Sequence, residues 1–135
     1  MEKDWLSLWQ RQKQLDALRQ AGKAVEGYGL SLSEQETALL IEEHGKVLKE
    51  QGRVGEGILP KLIYEFCDSV YIYQDNYLST ILKLQEIFYL FKNEVLDELT
   101  DDEILHFMKE QFETVCFGDL EYLEGTCLAV FSRAV

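Results

Sequence analysis

At 135 residues the chain has room for one domain of ordinary size, and about two-thirds of its unfolded surface is expected to be buried on folding. Its 47% hydrophobic content suffices for a core without disulfides or metal, and a single proline leaves long stretches free to be helical. The net charge of −12 is unevenly placed: residues 1–61 carry nine Lys/Arg against ten Asp/Glu, and residues 62–135 carry four against fifteen. An acidic half repels nucleic-acid phosphate and anionic membrane, so neither is expected as a partner, whereas a basic protein is compatible.

In chain order, residues from about Asp4 to Gln20 set Trp5, Leu8, Trp9, Leu15 and Leu18 among Gln, Arg and Lys, the pattern of an amphipathic helix with a thin apolar stripe. Ala21 to Leu32 contains Gly22, Gly27 and Gly29 and reads as a loop. Ser33 and Glu36 form a capping box, each side chain satisfying the other residue's free backbone N–H. The helix behind it, about Glu34 to Gln51, carries Leu40, Ile41, Val47 and Leu48 on one face and closes at Gly52. Pro60 suits the first turn of a short helix bearing Leu62, Ile63 and Phe66. Ser69–Tyr73 is rich in β-prone residues but short and without a partner strand, so an extended or helical connector is expected.

The strongest periodicity starts near Asp75. Tyr77, Ile81, Leu84, Phe88, Phe91 and Val95 recur at alternating spacings of four and three, with Leu78, Leu82, Tyr89 and Leu96 in a second stripe beside them. So broad an apolar face predicts a helix surrounded by others, at the centre of the fold. Thr100 and Glu103 form a second capping box, followed by a helix with Leu105, Met108, Phe112 and Val115 inward, ending by Gly118. Asp119 then caps a last helix with Leu120, Leu123, Cys127 and Val130 or Phe131 inward. The expected fold is all-α: an irregular bundle of about six helices in a single compact domain over residues 1–135, with an N-terminal helix and glycine-containing loop over 1–32 and the bundle core over 33–135.

Chemistry-bearing patterns are few. Glu103-x-x-His106 puts two metal-ligand types at i, i+3 on one helix, as di-iron bundles do, but those sites need a second such motif. Glu103 and His106 are therefore weak metal candidates, a surface histidine beside capping carboxylates being the plainer reading. His44, near the edge of an apolar face, reads as a packed histidine. The Gly52–Gly57 turn with Arg53 lacks the Lys-Ser/Thr pair of a phosphate loop. Cys67, Cys116 and Cys127 have no CxxC spacing and sit among apolar residues, which predicts buried, reduced thiols. With no signal-peptide pattern in the charged opening Met1–Trp5 and no apolar run long enough to span a bilayer, a cytoplasmic, soluble protein is expected. Thirteen of the sixteen Phe, Trp and Tyr residues lie after residue 61, and Tyr71, Tyr73 and Tyr77, together with Trp5 and Trp9, are the candidates for an interaction surface.

Four segments, Gly52-Arg-Val, Lys61-Leu-Ile-Tyr-Glu-Phe-Cys-Asp-Ser69, Phe88-Tyr-Leu-Phe-Lys-Asn-Glu94 and Glu121-Tyr-Leu-Glu-Gly-Thr126, resemble an uncharacterised family of small, helical bacterial proteins, over most of residues 33–135. That resemblance implies no activity and transfers no functional residue. The residues themselves point to a non-enzymatic helical module, interacting with a protein partner or with itself and needing no cofactor. A small-molecule or metal-binding helical domain is the alternative.

Overall fold

Among the described residues the chain forms six α-helices and no strand. The computed structural model describes residues 2–50, 58–95 and 98–127 and, within these, the side chains at all positions except 2–7, 10, 126 and 127. The helices are α1 (Glu2–Ala24), α2 (Glu34–Glu50), α3 (Ile58–Phe66), α4 (Tyr77–Val95), α5 (Asp101–Thr114) and α6 (Leu120–Tyr122), the last continuing as a wider π-helical turn over Leu123–Cys127. The proposed helix stop at Gly52, the Gly52–Gly57 turn with Arg53, Leu96, Val130 and Phe131, and the Cys127 side chain lie outside the described residues.

α4 is the axle, as its broad apolar face requires. It packs against α2, α3, α5 and α6, while α1 lies across α2 and α3, and α3 against α5. All six residues of the Tyr77–Val95 seam are buried, and so are Ile87 and Tyr89 beside it. Aromatic side chains join the layers edge-to-face: Phe66 meets Phe112 at 5.6 Å between centroids, and Phe91 meets Phe107 at 6.0 Å.

Both capping boxes are formed. Glu36 N–H donates to Ser33 Oγ and Ser33 N–H to Glu36 Oε1, at 3.1 and 2.9 Å. The Thr100–Glu103 pair repeats the exchange at 3.1 and 3.0 Å. Lys92 of α4 reaches Asp101 in the first turn of α5, tying the two helices where the chain reverses.

Three local expectations are corrected. α1 does not stop at Gln20 but runs through Gly22 to Ala24, because the continued helix stacks Ala21 and Val25 on Leu18 in the core. Their burial outweighs the ~1 kcal/mol that an interior glycine costs. The core therefore includes Leu18, Ala21, Val25 and Leu30 from the segment before Ser33. A 3-10 turn at Glu26–Tyr28 follows and ends on Gly29, whose φ of 81° suits a residue without Cβ.

Second, Val115 faces solvent rather than the core. The N–H groups of Val115 and Cys116 both donate to Gln111 O, at 3.0 and 2.8 Å, and this widened turn brings Cys116 inward in its place. Third, of the extended or helical connector expected at residues 69–73, the helical form is not taken: the segment turns and leaves Tyr73 extended. Ser69 Oγ accepts from Tyr71 N–H, and the Asn76 amide accepts from Tyr73 N–H and donates to Tyr71 O, which folds the segment into turns. Next to it, Gln74 spans to the loop before α2: its Oε1 accepts from Ser31 N–H at 2.8 Å and its Nε2 donates to Ser31 O at 3.0 Å.

Candidate functional site

The ends of α3 and α5 come together where the two turns that follow them touch. Tyr71 is the hinge of that contact. Its ring meets Phe112 edge-to-face at 6.0 Å, and its side chain rests directly on the backbone of Gly118. A Cβ placed on Gly118 would lie 2.6 Å from Tyr71 Cβ and Cγ, so only glycine admits this approach. Gly118 also has φ of 84°, and its N–H closes the end of α5 by donating to Phe112 O at 2.9 Å.

Residues next to this contact are pushed outward. Val70, adjacent to Tyr71, is 83% exposed, and Phe117, adjacent to Gly118, is 67% exposed. Phe117 has φ of 49°, the left-handed region that a bulky residue enters at a cost of about 1–2 kcal/mol. Tyr73 and Tyr64 are exposed on the same chain segment, Val115 and Tyr122 on the other. Two stretches, 64–76 and 110–122, supply all of these residues. They carry Glu65, Asp68, Asp75, Glu110, Glu113, Asp119 and Glu121 and contain no Lys or Arg. From α5, Lys109 Nζ lies 2.6 Å from Asp68 and 3.6 Å from Glu113, and holds the Asp68 carboxyl below the usual carboxylate range. The Tyr71–Gly118 contact thus brings the exposed Val70 and Phe117 near each other, as an apolar patch on two acidic stretches in which Glu65, Asp68 and Glu113 are paired with His106 or Lys109.

The expected candidates are dispersed over the molecule. Tyr73 is exposed two residues beyond Tyr71, Tyr71 itself rests on Gly118 and Phe112, and Tyr77 is enclosed in the core at the start of α4. Burial pushes the Tyr77 hydroxyl up to about 12, and no hydrogen-bond partner for it occurs among the described residues. Trp9 is 48% exposed on α1, with Lys13 Nζ 4.1 Å above its ring, and the Trp5 side chain lies outside the described residues. Glu103 and His106 share a helix but not a site. The Glu103 carboxylate is spent on the backbone N–H of Thr100, which lowers its pKa, while His106 Nδ1 lies 2.6 Å from Glu65 of α3. Among the described residues no group of three His, Cys, Asp or Glu side chains could hold a metal ion.

Other polar groups serve the fold. His44 is buried between α2 and α4, its Nδ1 2.9 Å from Gln85 Oε1 and its ring beside Tyr89. Cys67 donates to Tyr64 O, and burial raises its thiol pKa, so it holds little thiolate. A cleft of about 460 Å³ opens between the second half of α1 and the start of α2, lined by none of the expected candidates. Its charged side chains turn on one another: Arg19 donates to both oxygens of Glu34, at 3.2 and 2.9 Å, and also to Asp16.

Sequence reasoning missed Val70 and Phe117. Val70 lay inside a stretch read for strand propensity and for its tyrosines, and Phe117 looked like one more apolar residue at a helix end. The clue available was Phe117-Gly118 itself, an apolar residue crowded against the glycine that ends a helix.

A family model described as "Family of unknown function (DUF6323)" matches residues 17–135. The chain belongs to this family. The DUF6323 match begins earlier than the four resembling segments, one residue before the buried Leu18 of α1. It takes in the Val70–Phe117 patch and leaves the first sixteen residues outside. No curated protein and no solved structure matches the chain. No described helix is long and apolar enough to cross a membrane.

Proposed function

We propose that the chain is a non-enzymatic, cytoplasmic protein-interaction module whose recognition surface is the patch of Val70 and Phe117 on its two acidic stretches. The observation that carries this reading is Phe117: a phenylalanine held in a left-handed backbone conformation and two-thirds exposed. Stability alone favours Asn or Gly at such a position, so the phenylalanine is explained by something other than the fold. Aromatic side chains at the centre of an otherwise polar surface are the usual anchors of protein interfaces. The carboxylates of these stretches select a partner that is basic around its own apolar contact, and disfavour nucleic acid. The polar candidates singled out in the sequence are engaged elsewhere, Glu103 in a cap, His106 with Glu65, and His44 with Gln85.

The test is Phe117→Asn, which suits the left-handed backbone. The parent is expected to show a stoichiometric association, with a foreign protein or a second copy, on purification from its own host, and the variant to be more stable by about 1 kcal/mol and to lose that association. Retention of every association by the stabilised variant would overturn the reading.

A further inference from the structure

Resting on that reading, we infer that the patch receives the N-terminal arm of a second copy of this chain. α1 is one continuous helix from Glu2 to Ala24, and among its described side chains the first to pack against the core are Leu15 and Leu18. Its first half carries Leu8, 67% exposed, and Trp9, 48% exposed, with Arg11 and Lys13 exposed beside them. Residues 5–15 contain those two cations and no carboxylate, whereas the two stretches that carry the patch contain seven carboxylates and no Lys or Arg, four of the seven without an ion pair to Lys109 or His106. The two surfaces are complementary in both respects: apolar side chains at the centre of each, and opposite charge around them.

The arm cannot cover itself. A helix rises 1.5 Å per residue, so Leu8 lies about 15 Å along the axis from Leu18. The same helix is anchored at Arg19 by the two hydrogen bonds to Glu34. A straight helix fixed at one end does not bend its tip back onto its own body. Among the described residues nothing covers Leu8 and Trp9, which are open to another molecule, and the Lys13 ammonium now above the Trp9 ring becomes free to face the carboxylates of the patch. Two arms exchanged between two copies satisfy both patches and close the assembly as a dimer.

Analytical ultracentrifugation of the full chain at rising concentration tests this. The expected result is a mass near twice 15.7 kDa, with association weakened at least tenfold by Trp9→Ala, by Phe117→Asn, and by raising the salt. Mixing the two variants separates this arrangement from any other dimer. The Phe117→Asn copy retains an intact arm and the Trp9→Ala copy an intact patch, so the mixture recovers a heterodimer tighter than either variant alone. A monomer at all concentrations, a dimer indifferent to both substitutions, or a mixture no tighter than its components would overturn the proposal. If the monomer still binds a foreign basic protein through Phe117, the interaction reading survives and the second copy is not its partner.

Discussion

Replacing Gly118 by alanine probes the contact that shapes the patch. Two costs are expected. The first comes from the backbone: at φ of 84° an L-residue is disfavoured by about 1–2 kcal/mol. The second comes from packing. The new methyl would sit 2.6 Å from Tyr71 Cβ and Cγ and 2.8 Å from Cδ1, and the first of these atoms cannot swing away by a rotamer change. Overpacking of this kind costs about 1–3 kcal/mol, for a total of about 2–5 kcal/mol. Gly29 provides the internal reference, since its φ is 81° and nothing lies within 4 Å of the added methyl. Gly29→Ala should carry the backbone cost alone, and the loss of unfolded-chain freedom on replacing glycine is common to both variants. Urea unfolding followed by circular dichroism measures the two, and their difference, about 1–3 kcal/mol, is the Tyr71 contact. If the two variants were equally destabilised to within about 0.5 kcal/mol, the close approach of Tyr71 and Gly118 would be refuted, and the outward thrust of Val70 and Phe117 with it.

Tyr77→Phe removes a hydroxyl that makes no hydrogen bond within the described residues, so its stability at neutral pH should change by less than about 1 kcal/mol, or rise. Because burial raises this group from 10.0 to about 12, its favourable contribution is complete below pH 10 and lost as pH rises toward about 12, and the variant should show a shallower alkaline fall in stability. Glu103 behaves in the opposite sense. Its pKa is lowered from 4.5, so its stabilisation is present above pH 4.5 and disappears as pH falls through the lowered value. Glu103→Gln should flatten the acid limb of a stability-against-pH curve, and an unchanged limb would disprove the capping account. Gln85→Leu deprives buried His44 of its Nδ1 partner and should cost about 1–3 kcal/mol in chemical denaturation.

What the sequence made legible was local. Ser33/Glu36 and Thr100/Glu103 announce two helix starts within four residues each, and the Tyr77–Val95 seam announces a central helix because its period needs no knowledge of the neighbours. Where a distant contact decides, the pattern was silent or misleading. Gly22 reads as a breaker until Ala21 and Val25 are seen to be buried. Glu103 and His106 share a face by spacing, but a cap claims one and a residue 41 positions away claims the other. His44 and Gln85 are equally far apart in the chain and meet only because α2 lies against α4. The candidate surface was the least legible feature, since Tyr71 gives no sign in its own neighbourhood that it will rest on Gly118.

The bond pattern between Gln74 and Ser31 has a meaning of its own. A glutamine side chain presents an oxygen and an N–H₂ side by side, the same pair of polarities that a peptide group presents to a neighbouring strand, and Ser31 answers it with both of its backbone groups. Two loops 43 residues apart are thus joined by a ladder of a single rung. A ladder of one rung has no register to slip. The chain on either side could lengthen or shorten without shifting it. What it cannot tolerate is a change of polarity without a change of shape: glutamate would fill the same space, and set an oxygen against the carbonyl of Ser31.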